Sequence, residues 1–355
     1  MQENRLLALF ISCFCVMAFS ASSFAVQLEP MASVPIPTDN PQTSEKIGLG
    51  KKLFFDRRLS GDGTMSCAAC HIPEQAFTDG QDIALSYPTT KNWRNTPTII
   101  NAAFYKFLFH DGRAKSLEYQ ALMPVGSSFE MNLNSDFLVE KLRIVPEYVA
   151  AFQKVFNADV TKERIAMALA SFERTIISRN APLDRYLSGD EAALSEGARL
   201  GFALFTGKGK CIRCHYGPHM SDDGFHALNV PENPDIVNDP RMLASLRFVA
   251  KLSGIKDYRD LKEDLGRYLV TKDQRDWKSF KTPDLREIAR TAPYMHNGVF
   301  ATLDQVIEFL NEGGGKGNLE LTPLGLSDAE KNALKTFLTE ALTGDEIKIE
   351  YPEIP

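Results

Sequence analysis

The sequence predicts a mainly α-helical chain made of two tandem units joined by long loops. Three observations predict it. The motif Cys-x-x-Cys-His occurs twice, at Cys67 to His71 and at Cys211 to His215. The same flank, Leu-Gly-x-x-Leu-Phe, precedes each copy, at Leu49 to Phe54 and Leu200 to Phe205. Apolar residues elsewhere recur at helical spacing, and few segments alternate with period two. The length of 355 residues agrees with about two domains of ~150 residues. Hydrophobic residues at 44% are enough for a buried core, which excludes wholesale disorder. A formal net charge of −6 speaks against a nucleic-acid binder, which would carry a basic face.

The first element is a targeting segment. Arg5 precedes an apolar run from Leu6 to Phe19, and small residues follow from Ser20 to Ala25. A basic start, a short apolar stretch and a small-x-small end read as a secretory signal at residues 1–25, cleaved after Ala25. The run is shorter than the ~20 residues of a membrane span, and no later stretch is long enough to be one. The mature protein is therefore expected to be periplasmic, with no membrane span. Cys13 and Cys15 leave with the signal, so the two motifs use every remaining cysteine.

The first unit, residues 26–181, begins with a helix capped by Ser44 and ends with one from Thr161 to Ser178. Ile165, Leu169, Phe172 and Ile176 form the apolar stripe of that second helix. The boundary falls near Ala181-Pro182. The second unit, residues 182–355, repeats the plan. Its tract from Asn229 to Pro240 is polar and reads as a surface loop. Thr302 with Gln305, and Ser327 with Glu330, are capping boxes opening two more helices. An aspartate followed by glycine comes eight residues after each motif histidine, at Asp79 and Asp223.

Cys-x-x-Cys-His is the attachment signal of a covalent c-type haem. Two thiols three residues apart on one turn reach the two vinyl groups of a porphyrin. The histidine that follows becomes the proximal iron ligand. Cys67, Cys70 and His71 would hold one haem, and Cys211, Cys214 and His215 the other. The competing readings are a zinc site and two disulfides, and a zinc site made of four cysteines does not require a histidine after each pair. The fold expected is two tandem cytochrome c-like haem domains.

With these motifs placed, the chain resembles the bacterial di-haem cytochrome c peroxidases and their MauG-like relatives. The resemblance spans the mature chain. It is carried by Leu49 to Phe55, Leu59 to Thr64, Arg94 to Thr98, Asp111 to Ala114 and Thr291 to Gly298. It implies a peroxide site at the N-terminal haem, an electron-storing site at the C-terminal haem and a calcium ion between the domains. It also implies hydrogen peroxide as substrate and a small cytochrome c or copper protein as electron donor. Members of the family often form homodimers.

Residue by residue, Glu130 matches the distal acid of the peroxidatic haem, where a carboxylate can move a proton between the peroxide oxygens. Gln120 matches the distal glutamine of MauG-like members. The bland alternatives are a solvated charge for Glu130 and a helix cap for Gln120. Tyr87 stands where typical peroxidases carry a second histidine ligand, so this haem would be open to peroxide, unless Tyr87 itself binds the iron. His110 replaces the family's inter-haem tryptophan, and either keeps a relay role or bonds a haem propionate. Asn95, Thr291 and Pro293 match the calcium ligands, hard oxygen donors all. His296 reads as a pocket residue, and His219 and His226 as surface or propionate-bonding residues. Leu310 falls where a Met or Tyr completes the second iron. Leucine cannot, so Met295, Tyr294, water or nothing would stand there. The functions weighed are a peroxidase, a MauG-like oxidase modifying a protein, and a non-enzymatic di-haem electron carrier.

Overall fold

The computed structural model describes residues 27–355. The secretory signal at residues 1–25 lies outside the described residues. Among the described residues the fold is mainly helical, and no helix is long and apolar enough to cross a membrane.

The repeated flank has a packing reason. In the first half it forms the helix Ser44–Phe55, which crosses Lys162–Glu173. A Cβ on Gly50 would lie 1.8 Å from the Ala168 carbonyl oxygen, so only glycine lets the two backbones touch. Phe54 then meets Phe172 edge-on at 5.1 Å. In the second half Glu196–Thr206 crosses Asp328–Thr336 in the same way. A Cβ on Gly201 would lie 2.1 Å from the Ala333 oxygen, and Phe205 meets Phe337 at 5.2 Å. The partner helices are therefore part of the repeat. They read Ala-Leu-Ala-Ser-Phe at 168–172 and Ala-Leu-Lys-Thr-Phe at 333–337.

Three expectations about elements need correction. The first helix is capped by Thr43, whose hydroxyl accepts from the Lys46 amide at 3.2 Å; Ser44 is already the first helical residue. Thr43 has the extended backbone a cap requires. The helix expected to run to Ser178 ends at Glu173. Ile176 stays buried in the segment beyond, whose carbonyl accepts from the Asn101 amide at 2.9 Å. The tract from Asn229 to Pro240 contains the helix Pro234–Asn238. Asn233 caps it, Pro234 opens it, and Ile236 is buried against Ile83 and Trp93. Asn-Pro there is a helix start and not a turn. Both expected capping boxes, at Thr302 and Ser327, are present.

Two large cores form among the described residues, with three smaller clusters beside them. One gathers Leu53, Phe54, Phe77, Phe152 and Phe172, and the other Leu183, Phe205, Met220, Phe337 and Leu342. Each end of the described chain crosses to the opposite core. Leu28 packs in the second, bridged to Gly217, while Ile347 and Ile349 pack on the first. Between the cores, Asn101 donates to Asp284 at 2.7 Å, and the Lys281 amide donates to the His110 carbonyl at 2.8 Å.

Candidate active site

Each motif sits on a single turn, Cys67–Cys70 and Cys211–Arg213. In each, the chain after the histidine doubles back to supply one carbonyl. His71 Nδ1 bonds the Phe77 oxygen at 3.0 Å, and His215 Nδ1 bonds the Met220 oxygen at 2.9 Å. Both carbonyl bearers adopt left-handed backbone, with φ of 57° at Phe77 and 49° at Met220. A carbonyl only accepts, so Nδ1 carries the hydrogen in both rings and Nε2 keeps its lone pair for a metal. Burial lowers the pKa of His71 and takes His215 down to about 4, which keeps both imidazoles neutral, as a metal ligand must be.

Both histidines and all four cysteines line one continuous cavity of about 1140 Å³. That exceeds the ~300–1,000 Å³ of a typical single-ligand pocket. Burial pushes the Cys70 and Cys211 thiols up to about 12, and Cys67 higher still. None of the four forms a disulfide. The motif residues therefore fit two porphyrins, each with two thiols and one neutral imidazole.

The structure brings Glu130 and Gln120 to the wall of this cavity, both half-buried. Gln120 lies inside the helix Leu117–Ala121, which is capped by Ser116, so it is not the cap. Tyr87 is absent from the wall. Its hydroxyl lies against Gly61, so it is turned away from the space beside His71. That geometry argues against Tyr87 as an iron ligand.

His110 lines the cavity at the junction of the halves, and its Nε2 bonds the Asn95 carbonyl at 3.0 Å. Burial, then the nearby Arg94 charge, lowers its pKa to about 4. Asn95, Thr291 and Pro293 also line the cavity. The Asn95 amide donates to the His296 carbonyl at 2.8 Å, and Nδ2 donates to the Gln81 carbonyl at 2.7 Å. This leaves Oδ1 as a free hard donor, which fits a calcium ion. His296 is buried and stacked 3.6 Å from Phe280, a pocket residue.

On the second side Leu310 lines the cavity with Leu303, Val306 and Ile307, all from the helix Leu303–Asn311. Tyr294 and Met295 both line the cavity, and Tyr294 spends its hydroxyl on the Ile288 carbonyl at 3.0 Å. His226 is clamped between Asp222 (2.9 Å from Nε2) and Glu320. Its hydrogen bonds, to Asp222 first, then to the Cys214 sulfur and Glu320, push its pKa up to about 11. His219 lies off the cavity, packed between Phe104 and Tyr105.

Two residues escaped the sequence reading. Glu173 is 6% exposed and lines the cavity, its Oε2 without a hydrogen-bond partner among the described residues. Burial raises its pKa to about 8, so it is a neutral acid near Cys67. The signal was there, since Ile165, Leu169 and Glu173 follow i, i+4, i+8 and place a carboxyl on an apolar stripe. Lys281 also lines the cavity, its ammonium 3.3 Å from the centroid of the Tyr105 ring. Burial takes its pKa down to about 8, and nothing local in the sequence marks it.

Comparison with known proteins agrees with this geometry. The family model described as "Di-haem cytochrome c peroxidase" matches residues 44–192. The chain is 42% identical to the cytochrome-c peroxidase IdrP2 of Denitromonas iodatirespirans, over 96% of this chain and 92% of that one. It is 37% identical to the methylamine utilization protein MauG of Methylophilus methylotrophus, over 91% and 90%. Among solved structures, a MauG-like protein associated with microbial copper homeostasis superimposes with a TM-score of 0.74 at 28% identity, over 92% of this chain and 96% of that one.

Proposed function

The chain belongs to the di-haem cytochrome c peroxidase family, which includes MauG, and on that premise we propose that it is a periplasmic peroxidase reducing hydrogen peroxide to water with electrons from a small redox protein. It is an enzyme of the cytochrome-c peroxidase type. The two cores are read as tandem cytochrome c-like domains, 26–181 and 182–355, each overlaid by the other's terminal segment. Both haems are covalent c-type groups, and bound they supply the peroxide-binding iron and the electron store.

The observation that carries this reading is the single cavity lined by both motifs, with Glu130 and Gln120 on its wall and Tyr87 turned out of it. His71 Nε2 would hold the first iron, with the ring kept in orientation by the Phe77 carbonyl at Nδ1. Glu130 accepts a proton from the inner peroxide oxygen and returns it to the outer one, which lets the O–O bond break heterolytically. Gln120 donates a hydrogen bond that orients the oxygens. Overall, two electrons and two protons convert one hydrogen peroxide to two waters. Asn95, Thr291 and Pro293 would hold calcium through Oδ1 and two backbone carbonyls, and His110 holds the Asn95 segment in place. The bond to Asn95 occupies one ring nitrogen of His110 and leaves Nδ1 on the cavity wall, so the relay and propionate roles are both compatible with this geometry.

The wall also favours one second reading. Gln120 and an open first site are MauG-like features, and a protein substrate would follow from them. Leu310, in place of the tyrosine of MauG-like members, weighs against it.

The test is turnover of peroxide by the holoprotein with reduced cytochrome c or a copper protein, in the wild type and in Glu130→Gln. We expect two haems per chain by pyridine haemochrome, and turnover slowed by about 10²–10⁴-fold in the variant with haem content unchanged. An unchanged chemical step in Glu130→Gln would remove Glu130 from the mechanism. Protein-modifying activity without peroxide turnover would favour the second reading.

A further inference from the structure

The chain has two tryptophans, and one of them is built into the cavity wall. Trp93 is 8% exposed and lines the cavity. Trp277 is 38% exposed, leans on the Tyr268 ring at 4.9 Å and lies outside the wall.

The Trp93 indole is fixed on two sides. Its Nε1–H can only donate, and it donates to Asp264 at 3.0 Å. Its ring meets Phe129 edge-on at 5.7 Å, and Phe129 is the residue before Glu130. The next residue, Arg94, bonds both Asp264 and Asp111. Trp93 therefore stands between the Glu130 side of the cavity and the ion cluster at the junction of the halves.

Asp264 is held as an anion. Burial pushes its pKa up, but the Arg94 charge, the Arg94 hydrogen bonds and the Gly266 amide outweigh burial and keep it well below the usual carboxylate range. An indole bonded to a buried anion is easier to oxidise than one in an apolar wall. Losing an electron leaves positive charge on the ring and makes its N–H strongly acidic, and the carboxylate stabilises both. A low local dielectric strengthens that attraction. The Arg94 guanidinium, 5.8 Å from the ring, acts the other way, but Asp264 and Asp111 share its charge. A purely structural role asks for less, since Asp264 already accepts from Arg94 twice and from the Gly266 amide.

We propose, resting on the peroxidase reading, that Trp93 is a redox-active residue that gives up one electron when peroxide is cleaved before a donor arrives, with Asp264 as its positioning residue. This is a different segment from the position before Asp111-Gly112-Arg113, which holds His110. Hydrogen peroxide takes up two electrons and two protons and becomes two waters. With no donor present, one electron comes from the first haem and one from Trp93. The protons come from solvent, and the indole N–H proton stays within the bond to Asp264. Two electrons from the donor then restore the haem and the indole.

The test mixes the holoprotein with one equivalent of hydrogen peroxide and no donor, freezes it, and records electron paramagnetic resonance. The samples are wild type with and without ring-deuterated tryptophan, Trp93→Phe, Trp277→Phe and Asp264→Asn. Peptide mass spectrometry after repeated peroxide locates oxygen added to each tryptophan. We expect an organic radical signal that narrows on deuteration, is lost in Trp93→Phe and is unchanged in Trp277→Phe. Asp264→Asn keeps an oxygen near Nε1 but removes the charge, and should lower the radical yield about tenfold or more. Added oxygen should favour buried Trp93 over the more exposed Trp277, the reverse of the order set by attack from bulk solvent.

A signal that survives in Trp93→Phe, a signal indifferent to deuteration, or no radical while peroxide is consumed overturns the proposal. So does oxygen confined to Trp277. A wild-type yield in Asp264→Asn removes Asp264 from it. If Trp93→Phe or Asp264→Asn fails to load two haems, deuteration, Trp277→Phe and the wild-type peptide map decide. No consumption of peroxide at all would fell the peroxidase reading itself, a distinct result.

Discussion

Replacing Arg94 by methionine removes the cation that ties the two halves together beside the cavity. Arg94 is buried, and it donates to Asp264 through Nε at 2.6 Å and Nη2 at 3.0 Å, and to Asp111 through Nη1 at 2.6 Å. Asp264 also accepts from Trp93 Nε1 at 3.0 Å and from the Gly266 amide at 2.9 Å. Asp111 keeps Arg113 at 3.0 Å when Arg94 is lost, but Asp264 keeps no cation within bonding distance. Breaking a buried ion pair from one side costs about 3–5 kcal/mol. At the low end of ~2–4 °C per kcal/mol for larger domains, the melting temperature should fall by about 6–10 °C.

The pH dependence gives a second handle. In the wild type, Arg94 holds Asp264 far below the usual carboxylate range and Asp111 below it, against the opposing effect of burial. Their stabilisation is present above the unfolded pKa of about 3.9 and is lost as pH falls through the folded values. In Arg94→Met, only the hydrogen bonds from Trp93 and the Gly266 amide oppose the burial of Asp264, and its pKa should rise above the unfolded value. Its penalty is then largest at high pH and relaxes as pH falls and the group protonates. The variant's deficit should therefore be greater at pH 7.5 than at pH 5. Urea unfolding of the holoprotein followed by far-ultraviolet circular dichroism measures both. Adding Asp264→Asn should recover part of the loss, because the pair is coupled. A single-variant cost below about 1 kcal/mol, or equal deficits at both pH values, would refute the buried-pair argument.

Two further predictions follow from the site and the fold. Leu310→Met, which places a thioether on the cavity wall, should produce a His/Met low-spin signal in electron paramagnetic resonance; an unchanged spectrum would mean that Leu310 does not face the second iron. Gly50→Ala should destabilise by about 1–3 kcal/mol through overpacking, because its Cβ would overlap the Ala168 oxygen. Gly48→Ala, two residues away with nothing within 4 Å, should instead stabilise by about 0.5–1 kcal/mol; denaturant midpoints of the same sign for both would contradict the close helix crossing.

Features decided by local covalent spacing and short-range bonds were legible in the amino-acid order. Two thiols and an imidazole within five residues define a haem-binding turn wherever they occur, and Thr302 and Ser327 cap their helices through bonds spanning three residues. The tandem repeat was legible for the same reason, because Gly50 and Gly201 answer one packing demand twice. The length of the second long helix and the helix at Pro234 were less legible, since a periodic stripe continues past a helix end and Asn-Pro serves both turns and caps. The fate of single side chains lay beyond the sequence. Tyr87 faces Gly61 and not the cavity, and His110 bonds a carbonyl fifteen residues away. Arg94 finds Asp264 across 170 positions. Glu173 and Lys281 become cavity groups with shifted protonation only because distant segments bury them. Burial and long-range partners set those roles, and both exist only once the two cores have closed around a shared cavity.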